Sequence, residues 1–408
     1  MDHGTTARGY VRFAVPSTVS IAGGRVFVGE AAERESARAS RVIRSPKTGL
    51  LQNLRMPWSG AAPNGALRDD VAAALVVGEA LRGFRGALNE FGGAHRKLGF
   101  NIDLPVSEIG DDTVSARFKR VLQAGRFFAR ELSQECSEHD LMEAWVASAD
   151  LAASSQGMLP EAQVVMKGIE ALIPIALDRK YMIVDAGAGT LDTGIFKVYR
   201  YGEGRRIAFW ASETIPHGCD LIDEGVARLV LGDGASTSAA LAQECRVAKI
   251  EASRGRSVRT DSGHEIRMTH VDAAVEEFDR VVRPHYLEVL RSAYNKDRNL
   301  DRWQDVGVIT VGGGALLPPL SRALRESPAA RVPFAPVSRD GEPRCEVVGA
   351  SRRPPDLDET PFLIPSIGLT FSAPELDELI RPVEVQDHEK VSRSTGVYDY
   401  DAEAMWGH

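Results

Sequence analysis

The segment 183–192, with the sequence IVDAGAGTLD, constrains the fold of this chain more than any other. An apolar run reaches an aspartate, small residues and a threonine follow, and a second apolar run begins soon after. This pattern predicts a buried strand, a tight loop and a returning strand. Small residues let backbone N–H groups close on phosphate oxygens, where a longer side chain would block the approach. The segment therefore predicts a phosphate-binding loop, with a plain β-hairpin as the alternative.

Several residues of this loop have the chemistry that a phosphate and its metal ion require. Asp185 ends the first strand and can hold Mg²⁺ through water molecules, which this ion prefers to keep. Thr190 offers a hydroxyl group to a terminal phosphate. Gly187 and Gly189 leave room for phosphate oxygens beside the backbone.

A second glycine-rich segment follows a predicted strand at 306–311. That strand runs into Gly312, Gly313 and Gly314, and a helix is expected from Pro318 to Leu324. A strand, a glycine turn and a helix are typical of a nucleotide loop, because the backbone can approach the ligand closely. Glycines after strands also serve tight packing, so this segment alone leaves both interpretations open.

A third candidate lies on the predicted helix at 239–252 and just beyond it. Lys249 and Ser253 are four residues apart and so share one helix face. A long cation and a hydroxyl group on one face could line an adenosine pocket. The alternative is an ordinary charged helix that faces solvent.

The rest of the chain alternates between strand and helix patterns. Prolines and glycines predict a loop at 48–66. Strands alternating with helices predict an α/β fold with mixed sheets. Strands are expected at 18–21, 25–28, 98–105, 181–184, 194–199 and 207–215, and helices at 29–41, 69–91, 114–132, 221–231 and 271–294.

Composition narrows the classes of function. The chain has 408 residues, enough for two lobes, and its net charge of -8 disfavours direct nucleic-acid binding. Its four cysteines are scattered, which indicates no zinc framework and favours a reducing, cytoplasmic location. No run of about 20 apolar residues is present, so we expect no membrane-spanning helix.

The three candidate segments occur in the order found in the superfamily of actin, sugar kinases and heat-shock chaperones. Residues 185–192 resemble its second phosphate loop, and 308–314 resemble its adenosine loop. The helix around Lys249 is similar to the adenosine-contacting helix of the heat-shock-seventy chaperones. Residues 16–32 and 217–223 resemble two further segments of those chaperones. The resemblance runs loosely over residues 15–371, and only the two glycine loops in it are specific.

This resemblance implies a two-lobed actin-like ATPase fold of duplicated ribonuclease H-like domains with mixed sheets. The expected divisions are a first lobe at 1–178, a second lobe at 179–371 and a partly disordered tail at 372–408. The implied ligands are ATP or ADP with Mg²⁺. The implied nucleotide contacts are Gly187, Ala188, Gly189, Thr190, Gly218, Lys249, Ser253, Gly312, Gly313 and Gly314.

The resemblance also assigns catalytic roles. Asp185 would position Mg²⁺ and its waters, with Asp192 as a second possible ligand, and Thr190 would contact the terminal phosphate. Lys47 stands where the family places a catalytic lysine that orients the attacking water; the alternative is a lysine in a surface loop. The carboxylate at the hinge side of the site is either Glu161 or Glu170, and we prefer Glu161.

Three departures from the family pattern bear on these expectations. Residues 2–6 carry the letters of the family's opening phosphate loop, but only Met1 precedes them. Either the first hairpin is lost, or the start lies further upstream and this match is fortuitous; we favour the second. Ala188 replaces a glycine of the second loop. Arg246 and Ile250 stand where the family favours an acid and an arginine.

The expected function is therefore a nucleotide switch of the heat-shock-seventy type that acts through an unknown protein partner. Residues 372–408 are too few for a peptide-binding domain. The alternatives are an actin-like protein that self-associates into filaments and a nucleotide-binding scaffold without turnover. A small-molecule kinase lacks a persuasive catalytic aspartate in the first lobe.

Overall fold

A computed structural model gives the architecture of most of the chain. It describes residues 15–52, 67–90, 101–104, 112–133, 135–150, 157–172, 180–201, 204–232, 239–296, 306–317, 319–320, 345–347 and 378–380. Within these ranges, helices pack against several sheets, and the largest of these sheets is mixed. The predicted α/β class is therefore confirmed.

The elements up to residue 172 are, in chain order, β1 (Thr18–Ala22), β2 (Arg25–Val28), α1 (Glu30–Glu35), β3 (Arg41–Arg44), α2 (Pro46–Gln52), α3 (Asp69–Glu90), β4 (Asn101–Leu104), α4 (Asp112–Glu131), β5 (Cys136–Ser137), α5 (Glu138–Ala147), β6 (Gly157–Pro160) and α6 (Glu161–Leu172). A 3-10 turn at Ser36–Arg38 separates α1 from β3.

The first sheet has the order β3-β1-β2-β5, and all its pairs are antiparallel. The predicted hairpin of β1 and β2 is present, with Ala22 opposite Arg25. Gly23 and Gly24 both have positive φ, as the type I′ form of a two-residue hairpin loop requires. Helices α3, α4 and α5 cover this sheet with a core that includes Leu75 and Trp145. Strands β4 and β6 form a separate parallel pair.

The elements after residue 179 are β7 (Lys180–Ala186), β8 (Leu191–Tyr201), β9 (Gly204–Ile215), α7 (Asp220–Leu231), α8 (Ala239–Ser253), β10 (Val258–Arg259), β11 (Glu265–Ile266), α9 (Met268–Lys296), β12 (Gly307–Val311), β13 (Cys345–Val347) and β14 (Glu378–Ile380). The predicted strands and helices of this region are thus confirmed, apart from differences of a few residues at their ends.

The second sheet has six strands in the order β13-β12-β7-β8-β9-β14. Strands β7, β8 and β9 are antiparallel neighbours, whereas β12 runs parallel to β7 and β13 runs parallel to β12. Helix α6 packs on one face against Ile183 and Phe209, and α7, α8 and α9 pack on the other against Val184. Burial on both faces explains why β7 is apolar along most of its length.

Two predictions near residue 45 are wrong. The helix expected at 29–41 ends at Glu35, and a strand, β3, begins at Arg41. The loop expected at 48–66 starts as helix α2, which runs to Gln52. Residues 53–66 lie outside the described ranges, as do 2–6 and most of the helix expected at 318–324. Of the predicted tail at 372–408, the structure describes only β14, which pairs with β9.

Candidate functional site

The two predicted glycine loops meet at one edge of the second sheet. Strands β7 and β12 are parallel neighbours, and their register places Val311 beside Asp185. The carboxyl ends of parallel strands open on the same edge, which is where α/β sheets bind ligands. Asp185 is only 7% exposed there.

The loop between β7 and β8 is closed by its own backbone. The N–H group of Gly187 donates to the carbonyl oxygen of Thr190 at 3.0 Å. Asp185 and Asp192 lie directly opposite each other across the two strands, so both residues face the same side of the sheet. Thr214 of β9 donates its hydroxyl hydrogen to Asp192. Two aspartates therefore stand side by side where the loop begins and ends.

Gly312 of the second loop packs closely against Asp185. Its φ of 77° is in the region that favours glycine. A methyl group on Gly312 would overlap the Asp185 carboxylate and lie 2.9 Å from the carbonyl oxygen of Ala186. Gly314 is crowded in the same way, with the Cys219 sulfur at 3.0 Å from such a methyl group. These glycines are required for the two loops to approach each other.

The start of helix α7 is hydrogen-bonded to the backbone of the first loop. The N–H of Cys219 donates to the carbonyl of Gly187 at 2.9 Å, and that of Asp220 donates to the carbonyl of Ala188 at 2.8 Å. A methyl group on Gly218 would lie 2.6 Å from the backbone nitrogen of Thr190. The first N–H groups of this helix therefore fix the shape of the loop.

Cys219 is a packed residue at this site. Complete burial raises the pKa of its thiol to about 12, so almost none of it is thiolate at neutral pH. Its S–H group points to the carbonyl of Ala186 at 3.7 Å.

The turn between β3 and α2 covers the loop from the other side. A methyl group on Gly189 would lie 2.7 Å from the Ser45 hydroxyl oxygen and 2.5 Å from that of Thr48. Ser45 has a positive φ of 48°, which is uncommon for a residue with a side chain. Its hydroxyl group donates to Asp220 at 3.2 Å. Lys47 lies between Ser45 and Thr48 in the sequence; it is half-buried and belongs to helix α2 rather than to a surface loop.

A small cavity opens beside the two aspartates. It is lined by Asp185, Asp192 and Thr193, and by Val165 of helix α6. Glu161 begins α6 one turn before Val165. Glu170 lies five residues beyond Val165, about 7.5 Å further along the helix axis. It forms an ion pair with Lys167 at 3.7 Å.

The predicted adenosine contacts on α8 are buried. Lys249 is 4% exposed, and its ammonium group donates to Asp223 and, at 3.4 Å, to the carbonyl of Cys219. Ser253 donates to the carbonyl of Ile250 at 2.7 Å. Burial raises the pKa of the Asp223 carboxyl, and Lys249 and Arg246 oppose that rise. Lys249 thus lies behind the start of α7, whereas Ser253 lies one turn further along α8.

The structure brings together most of the predicted site residues. Gly312 and Asp192 adjoin Asp185, whereas Gly218 and the helix that carries Lys47 pack against the loop that follows Asp185. Ala188 is exposed at the tip of the loop, so its extra methyl group has space. The sequence did not indicate the parts played by Ser45 and Thr48, because their contacts with Gly189 join distant segments. The pair Ser45-Pro46 between a strand and a helix was the one local signal.

Compared with known proteins, the chain matches no family model and none of the curated proteins. None of the helices in the described ranges has the length and hydrophobicity needed to span a lipid bilayer. Within the same ranges, no cluster of three or more His, Cys, Asp or Glu side chains is arranged to hold a metal ion by itself.

Proposed function

We propose that this chain binds ATP with Mg²⁺ at the edge of the second sheet and works as a nucleotide switch. Its fold in this proposal is the two-lobed actin-like ATPase fold. The order of β9, β8, β7, β12 and β13 supports it, because three antiparallel strands followed by two parallel ones are the arrangement of a ribonuclease H-like half. The separate first sheet with its own core would belong to the other lobe.

One observation carries the proposal: Gly312, at the head of the second glycine loop, is packed against Asp185 at the head of the first. Two loops that are far apart in the chain converge on a nearly buried carboxylate at a sheet edge. Such a cradle of small residues suits phosphate oxygens, which need close access to backbone N–H groups. Tight packing alone accounts for the glycines, but a plain β-hairpin does not account for two glycine loops and two aspartates at the same sheet edge.

The donors at this edge suit Mg²⁺. This ion takes one or two carboxylates and completes its shell with water and phosphate oxygens. Asp185 and Asp192 are neighbours across β7 and β8 and line the same cavity. Asp185 would hold the ion through its waters, and Asp192 would be the second ligand. The ion would neutralise charge on the phosphates of the nucleotide.

The other residues take the roles that the family resemblance gives them. Thr190 would contact the terminal phosphate, Lys47 would orient the water that attacks it, and Glu161 would be the carboxylate at the hinge side of the site. Position supports this assignment, since α2 covers the loop and α6 starts near the cavity. Lys249 would contact the nucleoside only after its ammonium group leaves Asp223, and Ser253 would lie beyond it.

The switch works through closure of the two lobes on ATP and their reopening after hydrolysis to ADP and phosphate. A partner protein would read this change. An actin-like filament and a scaffold that binds nucleotide without turnover are the other outcomes of the tests. Sedimentation with and without ATP detects the filament.

The central experiment compares Asp185→Asn with Asp112→Asn. Both substitutions remove one negative charge with little change of shape, but Asp112 is exposed at the start of α4. ATP binding is measured by calorimetry with Mg²⁺ and with EDTA. The wild type and Asp112→Asn should bind more tightly with Mg²⁺. In Asp185→Asn the increase in ATP affinity that Mg²⁺ produces should be smaller by a factor of about ten or more, which is typical of changes around a metal site.

Phosphate release in the same samples separates a switch from a scaffold. Binding without release identifies the scaffold. Failure of the wild type to bind ATP at millimolar concentration contradicts the proposal, and so does unchanged Mg²⁺-dependent binding in Asp185→Asn.

A further inference from the structure

Arg246 lies at the centre of a cluster of acidic side chains that the proposed chemistry does not use. Its guanidinium group contacts Asp220 at 2.8 Å, Asp223 at 3.3 Å and Glu33 at 3.4 Å. Lys249 is the second cation of this cluster. A planar guanidinium spreads five N–H donors over three nitrogens in a rigid fork, which suits contact with three separate carboxylates, whereas a lysine carries its three donors on a single nitrogen.

The contact between Arg246 and Glu33 crosses between the two sheets. Glu33 lies on α1, which packs on β1 and β2, whereas Arg246 lies on α8 behind the second sheet. Glu33 is only 5% exposed, and it also accepts a hydrogen bond from the hydroxyl of Thr18 at 3.5 Å. A buried carboxylate is costly without a partner of opposite charge. Arg246 therefore stabilises Glu33 only while α1 stays against α8.

Asp220 connects this pair to the phosphate loop. One carboxylate oxygen binds Arg246, and the other accepts the hydrogen bond from Ser45. Its backbone N–H donates to the carbonyl of Ala188 in the loop. A continuous chain of polar contacts thus runs from α1 through Arg246 and Asp220 to the loop. Ser45, which follows β3 of the first sheet, is a second link to this chain of contacts through its hydrogen bond to Asp220.

A further described contact at this junction is also polar. Ser36, just after α1, donates to Gln243 of α8 at 3.4 Å. The hydrophobic core of the first sheet shares no described residue with the cores of the second. Polar junctions between separate cores allow relative motion more readily than apolar ones. When such a junction opens, water can solvate the separated charges, so a few ion pairs determine how often it opens.

We propose that Glu33 and Arg246 form a latch between the two sheets, and that opening this latch sets the rate at which the nucleotide leaves. The second half of this statement rests on the proposed function; the first half does not. Arg246 keeps Asp220 and Asp223 as partners when the latch opens. Glu33 loses the contact with the guanidinium group of Arg246 that it has at 3.4 Å in the closed form. Loss of the Glu33 charge should therefore favour the open form without disturbing the rest of the cluster.

The test compares Glu33→Gln with Glu30→Gln. Both changes remove one charge from α1, but Glu30 is exposed in the first turn of that helix. Hydrogen exchange without nucleotide is measured on peptides that cover residues 41–52 and 216–224. These peptides contain the turn at Ser45 and the start of α7. Exchange in both should be about tenfold faster in Glu33→Gln, the size expected for loss of a hydrogen bond to a charged group, and unchanged in Glu30→Gln.

A double-mutant cycle guards against simple loss of packing. In the Arg246→Gln background the latch is already broken, so Glu33→Gln should then add little to the exchange rates. An equal effect of Glu33→Gln in both backgrounds overturns the latch, and so does normal exchange in the single variant.

The dissociation rate of a fluorescent ATP analogue tests the second half. It should rise about tenfold in Glu33→Gln and stay unchanged in Glu30→Gln. Faster exchange with an unchanged dissociation rate overturns the link to nucleotide release. If the exchange results hold but the wild type binds no nucleotide, the latch stands and the proposed function fails.

Discussion

At Gly312 two separate constraints act on one residue. Its backbone has φ 77° and ψ -174°, a combination that only glycine adopts readily. The space where a side chain would begin is occupied by Asp185 and by the carbonyl of Ala186. Gly232, which ends α7, has nearly the same backbone at φ 83° and ψ 168° but open space around it. A comparison of substitutions at the two glycines can therefore distinguish the cost of backbone strain from the cost of close packing.

We expect Gly312→Ala to destabilise the protein more than Gly232→Ala does. Both variants should carry a backbone cost of about 1–3 kcal/mol. Only Gly312→Ala should add the cost of overpacking, again about 1–3 kcal/mol. Urea denaturation followed by circular dichroism measures the difference. Equal free energies of unfolding for the two variants would mean that Asp185 moves away easily and that the two loops are not held together.

At the scale of single elements, α5 shows how a surface helix is fixed by its first turn. Ser137 is its N-cap and accepts a hydrogen bond from the backbone N–H of Asp140 at 3.1 Å. The Asp140 carboxylate accepts hydrogen bonds in return from the Ser137 hydroxyl at 2.7 Å and backbone N–H at 3.1 Å. These bonds form a capping box. They favour the charged carboxylate and so lower the pKa of Asp140.

The stabilising effect of this cap should depend on pH. A carboxyl group whose pKa is lower in the folded state than in the unfolded chain stabilises the fold above its unfolded pKa. That contribution is lost as the pH falls through the folded value. Ser137→Ala should therefore lower the denaturation midpoint by a constant amount between pH 7 and pH 5, and the gap should narrow below about pH 4. Ser137→Asn, which keeps a capping side chain, is the control and should lie closer to the wild type at pH 7.

A gap that stays constant down to pH 3 would show that Asp140 takes no part in the cap. A difference in denaturation midpoint that grows on acidification would mean that folding raises the pKa of Asp140 instead of lowering it.

Elements with a strong periodic or apolar pattern could be predicted from the sequence, whereas two with mixed patterns could not. Helix α3 and strand β7 follow their residue patterns closely. Strand β3 has only two apolar residues between arginines, and its pairing with β1 makes it a strand. Helix α2 contains Gly49, which the sequence suggests is a loop residue. The structure explains this glycine differently, because a methyl group there would overlap the Asp69 carboxylate.

The same distinction applies to the candidate site. The loop at Asp185 could be found because its residues are consecutive, and the glycines at 312–314 because they follow a strand. The contact of Glu33 with Arg246 joins residues 213 positions apart, and neither residue has a local pattern that predicts it. Ser45 and Thr48 cover Gly189 only because two sheets come together. Such contacts depend on how elements pack, and a single sequence carries no direct signal for them.

At the scale of the whole molecule, the described hydrophobic residues form separate cores on either side of the junction. Trp145 is fully buried in the core of the first sheet, and Trp210 is 1% exposed in the core behind the second. Separate cores joined by polar contacts need not unfold together. Each tryptophan can therefore report on its own core.

A matched pair of substitutions tests whether the two cores are independent. Leu75 of α3 and Leu290 of α9 are both almost fully buried, one in each core. Each Leu→Ala change should cost about 2–5 kcal/mol, because it removes buried methyl groups and leaves a cavity. In protein labelled with 5-fluorotryptophan, ¹⁹F NMR follows Trp145 and Trp210 separately during urea unfolding. Leu75→Ala should shift mainly the Trp145 transition, and Leu290→Ala mainly that of Trp210.

The extent to which each shift spreads to the other core measures the coupling across the junction. If Glu33 and Arg246 carry much of that coupling, Glu33→Gln should separate the two transitions further, because it removes the partly buried ion pair that joins α1 to α8. Glu30→Gln should leave them as they are. Two transitions that coincide in the wild type and move together in both leucine variants would instead describe a single cooperative unit, and the ion pair would then be a minor part of a larger interface.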